Sequence, residues 1–159
     1  MKTAEDILNN KGPSPIISVA PDRLLSDAIA KMNDANIGAI LVEEKGEIVG
    51  IWTERDLLRA ANRPDFRPDS AAIADHMQSK LHSANFDTSV EQLEEMFLGL
   101  YIRHILIKKQ DRFIGLLSIG DVLRASLLDK DKQIKKLNSI ASWQYYENWG
   151  WDRKKRGES

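Results

Sequence analysis

The residues whose types and spacing could do chemistry come as two matched pairs. Thr53 and Asp56 lie in "GIWTERDLL" at 50 to 58, and Ser118 and Asp121 lie in "GLLSIGDVL" at 115 to 123. Each hydroxyl is followed three residues later by a carboxylate, just ahead of an apolar run. That is the spacing of a capping box, in which the hydroxyl accepts from the orphan amides of a first helical turn. The same groups could also hold a polar ligand, phosphate above all, because those amides and the positive end of the helix dipole point there. One copy of the motif does not choose between the two uses, and they can coexist.

Little else in the chain has the spacing of a catalytic or metal centre. His76, His82 and His104 lack the i, i+4 spacing of a helical metal site, and the carboxylates are scattered. With no cysteine, the chain has no disulfide, no thiolate ligand and no cysteine nucleophile, and its redox compartment stays open. The serine of "GLLSIGD" stands one place too late for a G-x-S-x-G elbow. Neither a G-x-G-x-x-G nor a G-x-x-x-x-G-K-[ST] loop occurs. The expectation is a protein without catalytic activity, metal or obligatory cofactor.

The elements that must position the two pairs are set by a duplication. Residues 36 to 60 align without a gap on 101 to 125, and eight of the 25 pairs are identical, Gly50/Gly115 and Asp56/Asp121 among them. Ordinary composition gives roughly one or two such identities. Upstream the register holds with Ser18 over Ser83, and a four-residue slip lays "AEDILNNK" over "IADHMQSK".

Within each copy the hydrophobic period changes in a readable order. "PIISV" is a short β-branched run, followed by "APD" as a turn and helix-start signal. Leu25, Ala28, Ile29, Met32 and Ala35 then recur at helical spacing, as do Val90, Leu93, Met96, Phe97 and Leu100. "AILVEEKGEIVGIW" and "HILIKKQDRFIGLL" each read as a hairpin. Thr53 and Ser118 close the hairpins and open second helices with apolar positions Leu57, Leu58 and Ala61, or Val122, Leu123 and Leu127. The predicted fold is therefore α+β: two β-α-β-β-α repeats packed with pseudo-two-fold symmetry, followed by a helical and aromatic tail. Residues 1–62 form the first unit, 63–72 a proline-containing linker, 73–128 the second unit and 129–159 the extension. Leu127, Ile134, Leu137 and Ala141 predict that the last helix runs on, and "WQYYENWGWDRKK" then gathers three of the four Trp.

Composition bounds the setting. At 159 residues and 42% hydrophobic content the chain can bury one core or two small ones. A net charge of −1 gives no general attraction to nucleic acid or to an anionic membrane, and no nucleic-acid partner is expected. No apolar run reaches membrane-span length, and "MKTAEDILNN" lacks a secretory h-region, so the cytoplasm is the expected location.

The duplicated hairpin, Gly, two apolar residues, Thr or Ser, two variable residues and Asp resemble a tandem pair of cystathionine-beta-synthase (CBS) domains, or Bateman module. "GIWTERDLL" and "GLLSIGDVL" carry the resemblance, supported by "PIISVAPDRLLSDAIAKM" and "YIRHILI". It implies a stand-alone regulatory module with two related clefts that bind adenosine-containing ligands: AMP, ADP, ATP or S-adenosylmethionine. Carried over by position, Asp56 and Asp121 hold the ribose hydroxyls, with Thr53 and Ser118 beside them. A basic pair ahead of the second strand often holds phosphate in such modules, which assigns Arg103 and His104, with Arg55 a further candidate. The first copy has Gly38 and Ala39 there, so the two sites are expected to differ. Ser18 and Ser83, with Gly38 and Ala39, match the region that meets adenine. The resemblance also implies a homodimer assembled through helices. The competing reading is a structural or adaptor protein with unused clefts, binding a protein partner through residues 143–159; "RKKR" at 153–156 is weak support for any anionic surface.

Overall fold

A computed structural model describes residues 1–12 and 16–137. Helix α1 (Ala4–Lys11) opens the chain, followed by β1 (Ser18–Val19), α2 (Leu25–Ala35), β2 (Ala39–Glu44), β3 (Glu47–Thr53) and α3 (Glu54–Ala61). A single 3-10 turn (Ile73–Asp75) precedes β4 (Ser83–Asn85), α4 (Val90–Leu100), β5 (His104–Lys109), β6 (Arg112–Ser118) and α5 (Ile119–Leu137). Each repeat forms a three-stranded sheet, β1-β2-β3 or β4-β5-β6, with one parallel and one antiparallel pairing. The architecture is α+β with two tandem repeats, as the sequence predicts. The continuous final helix is seen as far as Leu137. Residues 138–159, and with them every expectation for the Trp-rich tail, lie outside the described residues.

The duplication is kept in local detail. Both hairpins shift register at the same place, after Val42 and after Ile107. Their turns put two successive residues at positive φ, Lys45 (51°) and Gly46 (82°) in one, Gln110 (49°) and Asp111 (60°) in the other. That is the twist a two-residue hairpin loop needs to match its strands. The first long helices end on matched left-handed residues, Asn36 and Tyr101.

Two details differ from the sequence reading. Asp22 of "APD" does not cap α2, whose N-cap is Leu24 without a side-chain bond. Leu24 instead pairs with Ala72, and the amide of Leu25 donates to the carbonyl of Ala71, so backbone from the 63–72 segment stands in for the cap. Leu58 and Leu123 point outward, 74% and 48% exposed, while Ala60 and Val122 take the inner face. In these amphipathic helices only part of the apolar stripe is covered.

Packing exchanges the ends of the repeats. One core cluster joins Ala4 and Ile7 of α1 to Val90, Leu93, Phe97, Ile105, Ile107, Leu117 and Val122 of the second repeat. The other joins Ile73 to Val19, Leu25, Ala28, Met32, Ile40, Val42 and Trp52 of the first. The backbone follows: Ala4 and Glu5 donate to the carbonyls of Thr88 and Phe86, and Ile51 and Gln78 bond each other reciprocally. Each repeat's leading segment thus completes the other repeat. Gly50 and Gly115 sit under those crossings. A Cβ at Gly50 would collide with Met77, and one at Gly115 would lie 2.7 Å from Leu8 Cδ2. Leu8 and Met77 are themselves matched by the slipped alignment.

Candidate functional site

Strand alternation divides each sheet into a core face and a second face. In the first sheet Ile40, Val42 and Trp52 belong to the core cluster, so Ala39, Leu41 and Thr53 take the second face. In the second sheet Ile105, Ile107 and Leu117 are core, so His104, Leu106 and Ser118 take it. Leu41 and Leu106 lie outside both clusters and are still only 2% and 3% exposed, so this face is covered as well. Register then gathers the predicted residues. Ala39 pairs with Thr53, His104 with Ser118, Ser18 with Leu41 and Ser83 with Leu106. Ser18 and Ser83 therefore stand one side-chain step along the same face from Ala39 and His104, roughly 7 Å away. The Ser18 hydroxyl donates to Glu43 at 3.2 Å, while Ser83 is exposed.

At each motif the cap is formed. The amide of Thr53 donates to Asp56 Oδ2 at 3.0 Å, and the amide of Asp56 donates back to Thr53 Oγ1 at 3.3 Å. Ser118 and Asp121 repeat this at 2.8 and 3.2 Å. The carbonyls of Gly38 and Arg103 accept from the next residues, Glu54 and Ile119, tying each helix start to its hairpin. The Thr53 hydroxyl also donates to Asp56 Oδ2; that of Ser118 donates to nothing among the described residues. Arg55 is exposed on the first turn of α3.

This local geometry is not by itself the mark of a site. Thr3 and Asp6 form the same box at α1, with bonds of 2.9 and 3.4 Å, and the Thr3 amide and hydroxyl hold the Asp6 carboxyl below its ordinary value. What separates the two motifs from a plain cap is the side chain arriving from the exchanged segment. The Gln78 amide donates to both oxygens of Asp56, at 2.8 and 3.0 Å. Lys11, at the end of α1, places Nζ 2.9 Å from Asp121 Oδ2. Neither was a sequence candidate. The slipped alignment put their segments in equivalent places, but only the crossing brings them to the carboxylates.

The surroundings of the two carboxylates carry different charge. At the first, Gly38 leaves room for Glu54, whose Oε2 would lie 3.1 Å from a Cβ at that position. At the second stand Arg103, His104 and Lys11. Burial pushes the His104 imidazole below its ordinary value of 6.5; Asp121 opposes that, and Lys11 and Arg103 reinforce it. His104 is thus held neutral at neutral pH, with Lys11 and Arg103 set against Asp121 and, more weakly, Glu54.

The CBS-domain family model matches residues 4–63 and 73–128. The CBS domain-containing protein CBSX3, mitochondrial, of Arabidopsis thaliana is 32% identical over 151 residues, covering 90% of this chain and 73% of that protein. The crystal structure of a CBS-domain containing protein from Agrobacterium tumefaciens superposes with a TM-score of 0.73 at 28% identity, covering 79% of this chain and 99% of that one. The structure of CBSX2 in complex with AMP shares the fold, with a TM-score of 0.67 at 21% identity over 82% of this chain and 99% of the other. The chain belongs to the CBS-domain family and carries two tandem CBS domains.

Proposed function

We propose that this protein is a regulatory module without catalytic activity that binds an adenosine-containing ligand in two unequal clefts, and that occupancy alters what its helices or a partner contact. The observation that carries this reading is the matched pair Asp56 and Asp121. Each is a partly exposed carboxylate at a helix start, bonded to the Thr53 or Ser118 that shares a sheet face with Ser18 and Ala39 or with Ser83 and His104. A carboxylate offers paired acceptors to the vicinal hydroxyls of a ribose, and the amides beside it suit phosphate. CBSX2, which shares the fold at lower identity, forms a complex with AMP.

In this reading Thr53 and Ser118 lie beside the ribose, Arg103 and His104 meet phosphate, and Ser18, Ser83, Gly38 and Ala39 border the adenine. Arg55 has a lesser part at the first cleft. Signalling requires that the ligand bind two arrangements of the module unequally, since equal affinity shifts nothing. The module acts as a homodimer. Isothermal titration with AMP, ADP, ATP and S-adenosylmethionine tests the binding. Uptake below millimolar is expected, with loss of one site in Asp56→Ala and of the other in Asp121→Ala. No uptake by the wild type, or unchanged uptake by both variants, would overturn the reading.

A further inference from the structure

We propose that Lys11 is the charge-discriminating residue of the second cleft, passing from Asp121 to the 5′-phosphate of an adenosine phosphate when the ribose takes the carboxylate. The proposal rests on the nucleotide reading above and assigns a role to a residue outside both repeated motifs. Asp121 Oδ2 receives the Ser118 amide at 2.8 Å and the Lys11 ammonium at 2.9 Å. A ribose that uses both carboxylate oxygens competes with Lys11 for the same lone pairs. The displaced ammonium stays near Arg103 and His104: Lys11 and Arg103 both act on the His104 imidazole, against Asp121 and, least of the four, Glu54.

Two features make Lys11 fit for this exchange. Its side chain is 39% exposed, and an ion pair so open to solvent is easily broken. Its backbone, by contrast, closes a helix whose Ala4 and Ile7 are buried in the second core. The ammonium can therefore move on its four-carbon stem while its anchor stays fixed, and a compact charge with three rotatable donors can serve carboxylate and phosphate in turn.

The first cleft supplies the contrast. There the exchanged side chain is the neutral amide of Gln78, bonded to both Asp56 oxygens, and Glu54 lies over Gly38. The first turn of α3 carries Glu54 and Asp56 against Arg55 alone. Gln78 can offer a phosphate dianion a hydrogen bond but no charge, and Glu54 and Asp56 outnumber Arg55 there, so selection for the charged ligand belongs to the second cleft.

The test is calorimetric titration of the full chain with adenosine and with AMP, in an Asp56→Ala background so that the heat reports the second cleft. Lys11→Ala is expected to weaken AMP about tenfold and to leave adenosine unchanged or tighter, so the AMP-to-adenosine preference falls at least tenfold; Lys11→Arg should restore it. A Lys11→Ala variant that weakens both ligands equally, or keeps the preference, overturns the role of Lys11. If Asp121→Ala abolishes AMP uptake in that same series, the cleft reading survives such a result. If the Asp56→Ala protein takes up neither ligand, or Asp121→Ala changes nothing, the cleft reading falls and the role of Lys11 falls with it.

Discussion

His104 shows how the fold sets a charge state at the site. It pairs with Ser118 across the hairpin, and burial lowers its pKa from 6.5, with Asp121 and Glu54 pulling the other way and Lys11 and Arg103 adding to the depression. An imidazole whose folded pKa is lowered binds fewer protons when folded than when unfolded. Its contribution to stability is therefore full above pH 6.5 and is lost as pH falls below 6.5 toward the folded value. Thermal unfolding between pH 7.5 and 5.5 should show the melting temperature dropping with pH, and His104→Gln should flatten that drop. An equal slope in the variant would remove His104 as the cause. A bound phosphate would oppose the depression, so AMP uptake at this cleft should take up a proton as pH falls below 6.5, and the enthalpy there should depend on the ionisation heat of the buffer. Thr3 and Asp6 supply the comparison at the same scale: the cap is formed and the N-terminal ammonium and Lys2 act on Asp6, but among the described residues only Thr3 hydrogen-bonds its carboxylate.

The exchange of leading segments explains why the two copies agree where they do. Gly50 and Gly115 are retained because Met77 and Leu8 cross directly over them. Neither needs a left-handed backbone, so the constraint is space. Gly115→Ala should destabilise the second repeat by about 1–3 kcal/mol, the usual cost of overpacking. Leu8→Ala in the same chain should recover part of it, since the added methyl then occupies room the leucine gave up; denaturant unfolding of the two single variants and the double variant measures the coupling. Strict additivity would mean that the glycine is needed for another reason. The strand-helix-strand-strand-helix order within each repeat, both hairpins and the two motif caps were legible in the sequence because each rests on local signals: a period of 2 or 3.6, a turn residue, a hydroxyl before a carboxylate; helix α1 was not. The crossings were not, because nothing in "AEDILNNK" says which sheet it will pack against. Lys11 and Gln78 stayed hidden for the same reason, although two glycines at matched strand positions already implied a close approach from outside the strand. The outward turn of Leu58 and Leu123 was also missed, since an apolar position at helical spacing does not reveal whether its neighbour belongs to the same molecule.

Those two leucines bear on the whole molecule. Leu58 on α3 and Leu123 on α5 are related by the duplication, and both project from helices whose inner faces are already packed through Ala60 and Val122. Isolated exposed leucines are ordinary, but a symmetry-matched pair on the two closing helices is what an isologous interface would use, each copy presenting the same patch to the other. Each leucine fully buried there would contribute roughly 1.5–3 kcal/mol, and a two-fold axis doubles the number buried. Light scattering at micromolar concentration should give twice the 18.0 kDa chain mass. Leu58→Glu with Leu123→Glu should give the monomer mass with little change in circular dichroism, because Leu58 is largely exposed, Leu123 is half exposed and neither belongs to a core cluster. A wild-type monomer, or a double variant that still dimerises, would place the interface elsewhere or remove it. If the dimer does form through these helices, the clefts and the interface share α3 and α5, whose first turns hold Asp56 and Asp121. A ligand that moves either helix start would then act directly on the contact between copies, and AMP should shift the dimerisation constant in the wild type but not in Asp56→Ala with Asp121→Ala.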